Sequence, residues 1–263
     1  MIFQKNVPFF NVVATGKATL ELPIGMTYER IILKLGGTSF TKSMITRIVA
    51  KLNGKIFYDI TGDHLDAINQ YRGLTANAAY LTIDFVEPFA KTLGGMSAGG
   101  IGTASGVNSF IIEVDISGAT APTLESWSQL APPMPLGQIN GLIPYPATFS
   151  TSGKYPVILP HGKEAAFLIQ RVHFFSSVMT TLEVKKNGLI IYEAMDSTTN
   201  DFIQTEYKKV SQSGLYVYDP CVNNDLSQVV DTSTAQSLQF DVTVSASGVV
   251  SVYSEVIGLL GNF

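Results

Sequence analysis

The sequence has little of several residue types, and each shortage limits what the chain can do. Cys221 is the only cysteine among 263 residues, so no disulfide can form within the chain. Charged residues make up 14%, the net charge is −4, and no run of Lys or Arg occurs, which argues against nucleic-acid binding. No apolar run reaches about 18 residues, the length that a membrane-spanning helix needs.

Residues 1–17 also lack the pattern of a secretory signal, because they contain no long apolar core and Pro8 interrupts them. Together with the single cysteine, this predicts folding in a reducing, cytoplasm-like compartment.

What is present points to strands and turns. Hydrophobic residues make up 46%, with 23 Gly and 12 Pro, which excludes a disordered chain and is typical of an all-β protein with many short strands. The low charge further predicts that other subunits cover much of the surface. A large sandwich with a polar but uncharged surface is the alternative.

One hairpin pattern occurs twice. "VAKLNGKIFYDI" (49–60) and "EVKKNGLIIYEA" (183–194) both place Asn-Gly between alternating apolar residues, which predicts a type I′ turn. The match extends upstream: "TGKATLELPIG" (15–25) resembles "SGKYPVILPHG" (152–162) at a constant offset of 137 residues, as position 16 against 153 shows. The chain therefore carries an internal repeat.

A short helix is predicted after each hairpin. In 61–74, Thr61 or Asp63 can cap it, Leu65 and Ile68 form its apolar side, and Gly73 ends it. In 196–210 the cap lies within 196–200, and the side predicted to face inward is formed by Phe202, Ile203 and Tyr207.

The repeat predicts an all-β fold of two tandem eight-stranded jelly rolls, a double jelly roll in which each half has a short connecting helix. We place the N-terminal jelly roll at 1–133 and the C-terminal one at 134–263. The boundary falls in the Pro-rich segment 131–146, where prolines are expected to block sheet hydrogen bonding.

No catalytic or cofactor-binding residue is predicted. "GMSAG" (95–99) fits the G-x-S-x-G pattern around a nucleophilic serine, here Ser97, but glycine-rich flanks are not expected to form the helix that this pattern requires. We interpret 94–106 as a flexible surface loop that orders on contact with a neighbour; a hydrolase is the alternative. Structural roles are expected for the three histidines and the cysteine: His64, His161, His173 and Cys221.

One loop has the oxygen ligands that calcium prefers. The candidates are Asp219, Asn223, Asn224 and Asp225, without the regular spacing of an EF-hand. A solvated turn is the alternative.

The run "LELPIGMTYERIILKLGGTSFTKSMITRIVAKLNGKIFYDITGDHLDAINQYRG" (20–73) resembles the N-terminal domain of corticovirus-type double jelly-roll major capsid proteins, and with the second repeat the resemblance covers most of the chain. It implies a coat protein of a bacteriophage with an internal membrane. The expected partners are two further copies in a homotrimer with a pseudo-hexagonal outline, neighbouring capsomers, other virion proteins and the internal viral membrane, but no nucleic acid. It also implies calcium sites, without identifying ligands.

Two other classes of protein remain open. A carbohydrate-binding double β-sandwich module would need clustered exposed aromatic residues, and Trp127 is the only tryptophan. A secreted adhesin would need a signal peptide.

Overall fold

The computed structural model describes residues 1–263 and confirms the double jelly roll. The elements of the first half are β1 (Ile2–Lys5), β2 (Gly16–Glu21), β3 (Thr27–Ser39), β4 (Ile45–Leu52), β5 (Lys55–Ile60), α1 (Gly62–Tyr71), β6 (Tyr80–Asp84), α2 (Leu93–Ser97), β7 (Ile101–Gly102), β8 (Phe110–Ile116) and β9 (Thr120–Ala131). Those of the second half are β10 (Gln138–Phe149), β11 (Gly153–Ile158), β12 (Leu168–Phe175), β13 (Met179–Lys186), β14 (Leu189–Asp196), α3 (Ser197–Glu206), β15 (Leu215–Tyr218), β16 (Val230–Asp231), β17 (Leu238–Val244) and β18 (Gly248–Leu259).

The sheets repeat in the same order. In the first half, β1-β9-β3-β6 face β2-β8-β4-β5; in the second, β10-β18-β12-β15 face β11-β17-β13-β14. The short strands β7 and β16 attach to β3 and β12. Each half thus has eight principal strands, and the strands that carry the sequence repeat occupy equivalent places. The domain boundary at 133/134 stays a prediction.

Each jelly roll has its own apolar core, as alternation along its strands requires. In β8, every second side chain from Phe110 to Ile116 is buried. One cluster of 33 buried residues lies mainly in the first half and one of 19 in the second, so each half can hold its two sheets together.

The hairpins and helix caps follow the sequence predictions. Both central residues of each hairpin turn have positive φ, 50° and 80° at Asn53-Gly54 and 52° and 78° at Asn187-Gly188. The Thr61 hydroxyl accepts a hydrogen bond from the His64 N–H and begins α1.

The cap of α3 was also predicted, but its inward side was wrong. Asp196 caps the helix by accepting from the Thr199 N–H. Asn200 and Gln204 are the buried residues of α3, and both side chains donate to the Val217 carbonyl. Phe202, Ile203 and Tyr207 face solvent instead.

The expectation that prolines interrupt the sheet in 131–146 was also wrong. Strand β10 runs through Pro144 and Pro146 and pairs with β18 along its whole length. Its other neighbour, β5, pairs with it only at Leu142. The two prolines are two residues apart, so the N–H groups that they lack would both lie on the same edge of β10. Beyond Leu142 the edge toward β5 has no paired strand, so the prolines remove no ladder hydrogen bond there.

Candidate functional site

The candidate site is the domain junction, where β5 and α1 of the first jelly roll pack against β10, β18 and β12 of the second. Tyr58 of β5 and Leu142 of β10 form the parallel pair that joins the two half-sheets. The His64 ring of α1 stacks on Phe175 with centroids 3.9 Å apart, and its Nδ1 lies 2.9 Å from the Tyr253 hydroxyl. The junction therefore combines strand pairing with aromatic packing.

A buried charge network crosses this junction, centred on Arg171. The Arg171 guanidinium is fully buried; its Nη1 lies 2.7 Å from Glu87 Oε2 and its Nε donates to Asp219 Oδ2 at 2.9 Å. Glu87 belongs to the first jelly roll and Arg171 to the second. Arg72, just after α1, pairs across the junction with Glu255 of β18. Each half thus contributes an arginine to a carboxylate of the other.

The remaining groups of the network extend it into both halves. Asp84 pairs with Arg30 and lies 3.8 Å from Arg72. The Tyr71 hydroxyl donates to Asp219 at 2.9 Å. Removing one partner of such desolvated pairs would be costly, because it leaves a charge buried alone.

Burial and neighbouring charges oppose each other in this network. Burial alone would raise the pKa of Glu255, but Arg72 and Arg171 outweigh it and hold that pKa well below its usual value. At Asp84 burial prevails, and the pKa is raised despite two arginines. Burial lowers the pKa of His173, although its Nε2 lies 3.3 Å from Glu255. His173 is therefore neutral at neutral pH.

Sequence reasoning did not identify this network, although a signal was present. Arg171 stands in the apolar strand "LIQRVHFF", where a charged residue needs a partner. Asp219 lies 48 residues from Arg171 along the chain, and Glu87 and Glu255 each lie 84 residues from it. Only the fold brings these partners together.

Each of the four calcium candidates accepts a hydrogen bond from another group of the protein. Asp219 is engaged by Arg171 and Tyr71 inside the junction. The Asn224 Oδ1 accepts from the Lys209 ammonium at 2.6 Å, and an ammonium group at that oxygen opposes a cation. Asn223 and Asp225 accept backbone N–H groups of their own loop. These donors do not fit a shared calcium site, so calcium binding stays a prediction of the resemblance alone.

The glycine-rich segment 94–106 is packed against the linker between the jelly rolls. Leu93–Ser97 form the short helix α2, although no helix was expected there, and 101–103 are buried. Two backbone hydrogen bonds join the segment to this linker, residues 132–137: Ala104 N–H donates to the Met134 carbonyl, and Leu136 N–H to the Ser105 carbonyl. A third joins it to β10, where Asn140 N–H donates to the Gly99 carbonyl. Only parts of it are exposed, so the interpretation as a flexible surface loop was wrong.

Ser97 does not occupy a nucleophile elbow. That motif places a helix after the serine, whereas α2 ends at Ser97. Its hydroxyl donates back to the carbonyls of Leu93 and Gly94, at 3.4 and 3.2 Å.

The other residues singled out from the sequence have packing or hydrogen-bond contacts. His161 Nδ1 lies 2.8 Å from the Leu159 carbonyl oxygen, and Cys221 is fully buried. The ammonium groups of Lys5 and Lys34 lie 5.2 and 5.9 Å from the Trp127 ring centre, so that ring is not a free platform for a sugar. No helix combines the length and apolar character needed to cross a membrane.

Comparison with known proteins follows the same division of the chain. The family model for the viral coat protein P2 N-terminal domain matches residues 3–131, and that for the P2 C-terminal domain matches 139–260. A search of curated proteins finds no match.

Solved structures show where the same fold occurs. The major capsid protein P2 from bacteriophage PM2 superposes with a TM-score of 0.91 at 22% identity, covering 98% of this chain and 97% of that one. A chain of Sulfolobus Turreted Icosahedral Virus gives a TM-score of 0.73 at 12% identity, with 98% and 90% covered. The PBCV-1 virus capsid gives 0.64 at 9% identity, with 99% and 95% covered.

Proposed function

The chain belongs to the viral coat protein P2 family and is a major capsid protein of a virus particle, and we propose that three copies of it form one pseudo-hexagonal capsomer. The observation that carries this proposal is the duplication. Two jelly rolls with the same strand order stand in one chain, so three chains supply six similar units. Six units of similar shape can close-pack as a hexagon.

The proposal extends to the particle and to its synthesis. Capsomers tile an icosahedral shell over an internal membrane, as the sequence resemblance implies, and the chain is made in the host cytoplasm. The net charge of −4 gives little attraction to anionic lipid, so contact with the membrane is sparse or passes through another virion protein. Exposed Leu93 and Met96 of α2 take part in contacts between capsomers.

The coat role also leads us to propose that the chain has no enzymatic turnover. Ser97→Ala should then leave esterase and peptidase assays at background, as for the wild-type protein. Hydrolysis that disappears with this substitution would restore the hydrolase alternative.

Light scattering coupled to size-exclusion chromatography tests the assembly. We expect a mass three times the 28.4 kDa of the chain, and a hexagonal outline by negative-stain electron microscopy. A protein that stays monomeric at high concentration, with and without calcium, would overturn the capsomer proposal.

A further inference from the structure

The chain buries two lysines, and only one of them has a carboxylate as its direct partner. Lys42 is 8% exposed, and its ammonium group pairs with Asp66. Lys209 is 4% exposed, but its ammonium group donates to a neutral amide oxygen, Asn224 Oδ1, at 2.6 Å. Lysine is almost never fully buried unless it is paired with an opposite charge. Lys209 is therefore a buried cation without a counter-ion in direct contact.

Lys209 lines a cavity of about 240 Å³ that opens at the surface of the domain junction. Arg72, Gly73 and Phe89 of the first jelly roll contribute to its lining, as do residues 207–209 and Asn224 of the second. Three of the lining residues are Arg or Lys, and none is Asp or Glu. A water molecule takes about 30 Å³ of liquid volume, so the cavity has room for an ion of phosphate size with part of its hydration shell.

The nitrogen donors of this lining are only partly used. Arg72 pairs with Glu255 through Nη2, but its buried Nε has no hydrogen-bond partner. An ammonium group has three N–H donors, and that of Lys209 has Asn224 Oδ1 as its one acceptor. Lys208 is exposed and forms no ion pair. Unused donors of three cationic side chains thus lie around a cavity that no carboxylate lines.

The carboxylates closest in effect to Lys209 are engaged elsewhere. Glu87 and Asp219 both pair with Arg171. Burial, followed by the charge of Arg171, lowers the pKa of Lys209, although Asp219 and Glu87 act in the opposite direction. The charges within the chain therefore do not compensate for the desolvation of this ammonium group. An anion in the cavity would supply that compensation.

We propose that this cavity binds a small oxyanion of the size and charge of phosphate, held by Arg72, Lys208 and Lys209. Hydrogen bonds between such cationic groups and phosphate oxygens are short and strong. The anion contacts both jelly rolls, so it adds a link across the domain junction. Because the site exists only in the folded chain, the bound ion stabilises the protein by mass action.

Isothermal titration calorimetry of inorganic phosphate into the full chain, in chloride buffer at neutral pH, is the direct test. We expect one phosphate per chain. Lys208→Gln should weaken binding about tenfold, because it removes one hydrogen bond between charged groups. Lys209→Gln should weaken it at least as much. Lys163→Gln is the matched control: Lys163 is also exposed but lies outside the lining, so this variant should bind phosphate as the wild-type protein does.

Thermal unfolding separates a ligand site from a purely structural role of the two lysines. Lys208 and Lys209 follow the C-terminus of α3, where positive charge is favourable without any ligand. On that account, Lys208→Gln lowers the melting temperature equally with and without phosphate. A phosphate site predicts a difference that grows with phosphate concentration, beyond the general stabilisation by phosphate salts that Lys163→Gln also shows. Lys208 is exposed, so its variant carries the test even if Lys209→Gln does not fold.

Three results would overturn the proposal. The first is a wild-type protein that shows no saturable binding of phosphate. The second is binding that Lys208→Gln and Lys209→Gln leave unchanged, since the ion would then lie elsewhere. The third is displacement of phosphate by phosphatidylglycerol vesicles, which would assign the cavity to a lipid headgroup instead of a free ion. The capsomer proposal is tested separately, by the mass of the assembly.

Discussion

Asn53 and Asn187 tie their hairpins to the neighbouring strand by the same three hydrogen bonds. The Asn53 N–H donates to the Ser109 carbonyl at 3.0 Å, and the Asn187 N–H to the Ser237 carbonyl at 2.9 Å. The Asn53 Oδ1 accepts the N–H groups of 108 and 109, and the Asn187 Oδ1 those of 236 and 237. The repeated asparagine therefore does more than permit a positive φ: its side chain fixes the start of β8 and of β17.

Alanine at either asparagine should lower stability measurably. Asn53→Ala or Asn187→Ala loses the side-chain acceptor and places a Cβ-bearing residue with no polar side chain at positive φ, and we expect a loss of about 1–3 kcal/mol in urea unfolding. Glycine at the same position keeps the φ tolerance and loses only the side-chain hydrogen bonds, so it should cost less than alanine. Equal unfolding midpoints for the wild-type and both alanine variants would contradict this role.

Local patterns predicted the parts of the fold that local chemistry determines. The Asn-Gly pair predicted the hairpin turn at Asn53-Gly54, and the capping hydroxyl of Thr61 predicted where α1 begins. The orientation of α3 was mispredicted because Phe202 is apolar, and apolarity alone does not establish that a side chain packs in the core. The Arg171 network could not be predicted because the partners of Arg171 come from three distant segments. An arginine in an apolar strand predicts that carboxylates lie nearby, but it does not identify them.

Arg171 should be among the most sensitive positions in the chain. Arg171→Met keeps much of the side-chain volume but leaves Glu87, Asp219 and Glu255 close together without their shared cation. We expect a loss of about 3–5 kcal/mol in unfolding free energy near neutral pH, the usual cost of breaking a buried pair. Chemical denaturation monitored by fluorescence measures it.

An exposed ion pair provides the control for Arg171. Lys5 pairs with Glu125, and both side chains are exposed, so Lys5→Met should change stability little, because solvent screens such pairs. If Lys5→Met and Arg171→Met destabilised the protein equally, the junction network would have no special role.

Stability should fall as the pH drops below about 6.5. Burial lowers the pKa of both His64 and His173 from the ordinary 6.5, so the unfolded chain takes up protons there that the folded chain does not. The contribution of the two histidines to the free energy of unfolding is thus fully present above pH 6.5. It is lost as the pH falls from 6.5 through the lowered pKa that each histidine has in the folded chain. Below about 4.5 the lowered pKa values of Glu87 and Glu255 extend the loss, and the raised pKa of Asp84 opposes it.

Substituting the histidines tests the origin of this slope. Urea unfolding of His64→Gln/His173→Gln between about pH 7 and pH 5 should depend less on pH than unfolding of the wild-type protein. Each single variant should fall between the two. An unchanged slope in the double variant would assign the dependence to other groups.

Gly102→Ala should destabilise the chain because of where the glycine-rich segment lies. A Cβ at Gly102 would clash with the backbone carbonyl oxygen of Pro135 in the linker, and backbone atoms cannot swing aside as a flexible side chain can. Overpacking of this kind typically costs about 1–3 kcal/mol. Gly94→Ala is the control, since no atom lies within 4 Å of its added Cβ. A lower melting temperature for Gly102→Ala alone is expected by differential scanning fluorimetry. Equal temperatures for the two variants would mean that the linker moves freely away from the segment, and that these glycines are not needed for its close approach.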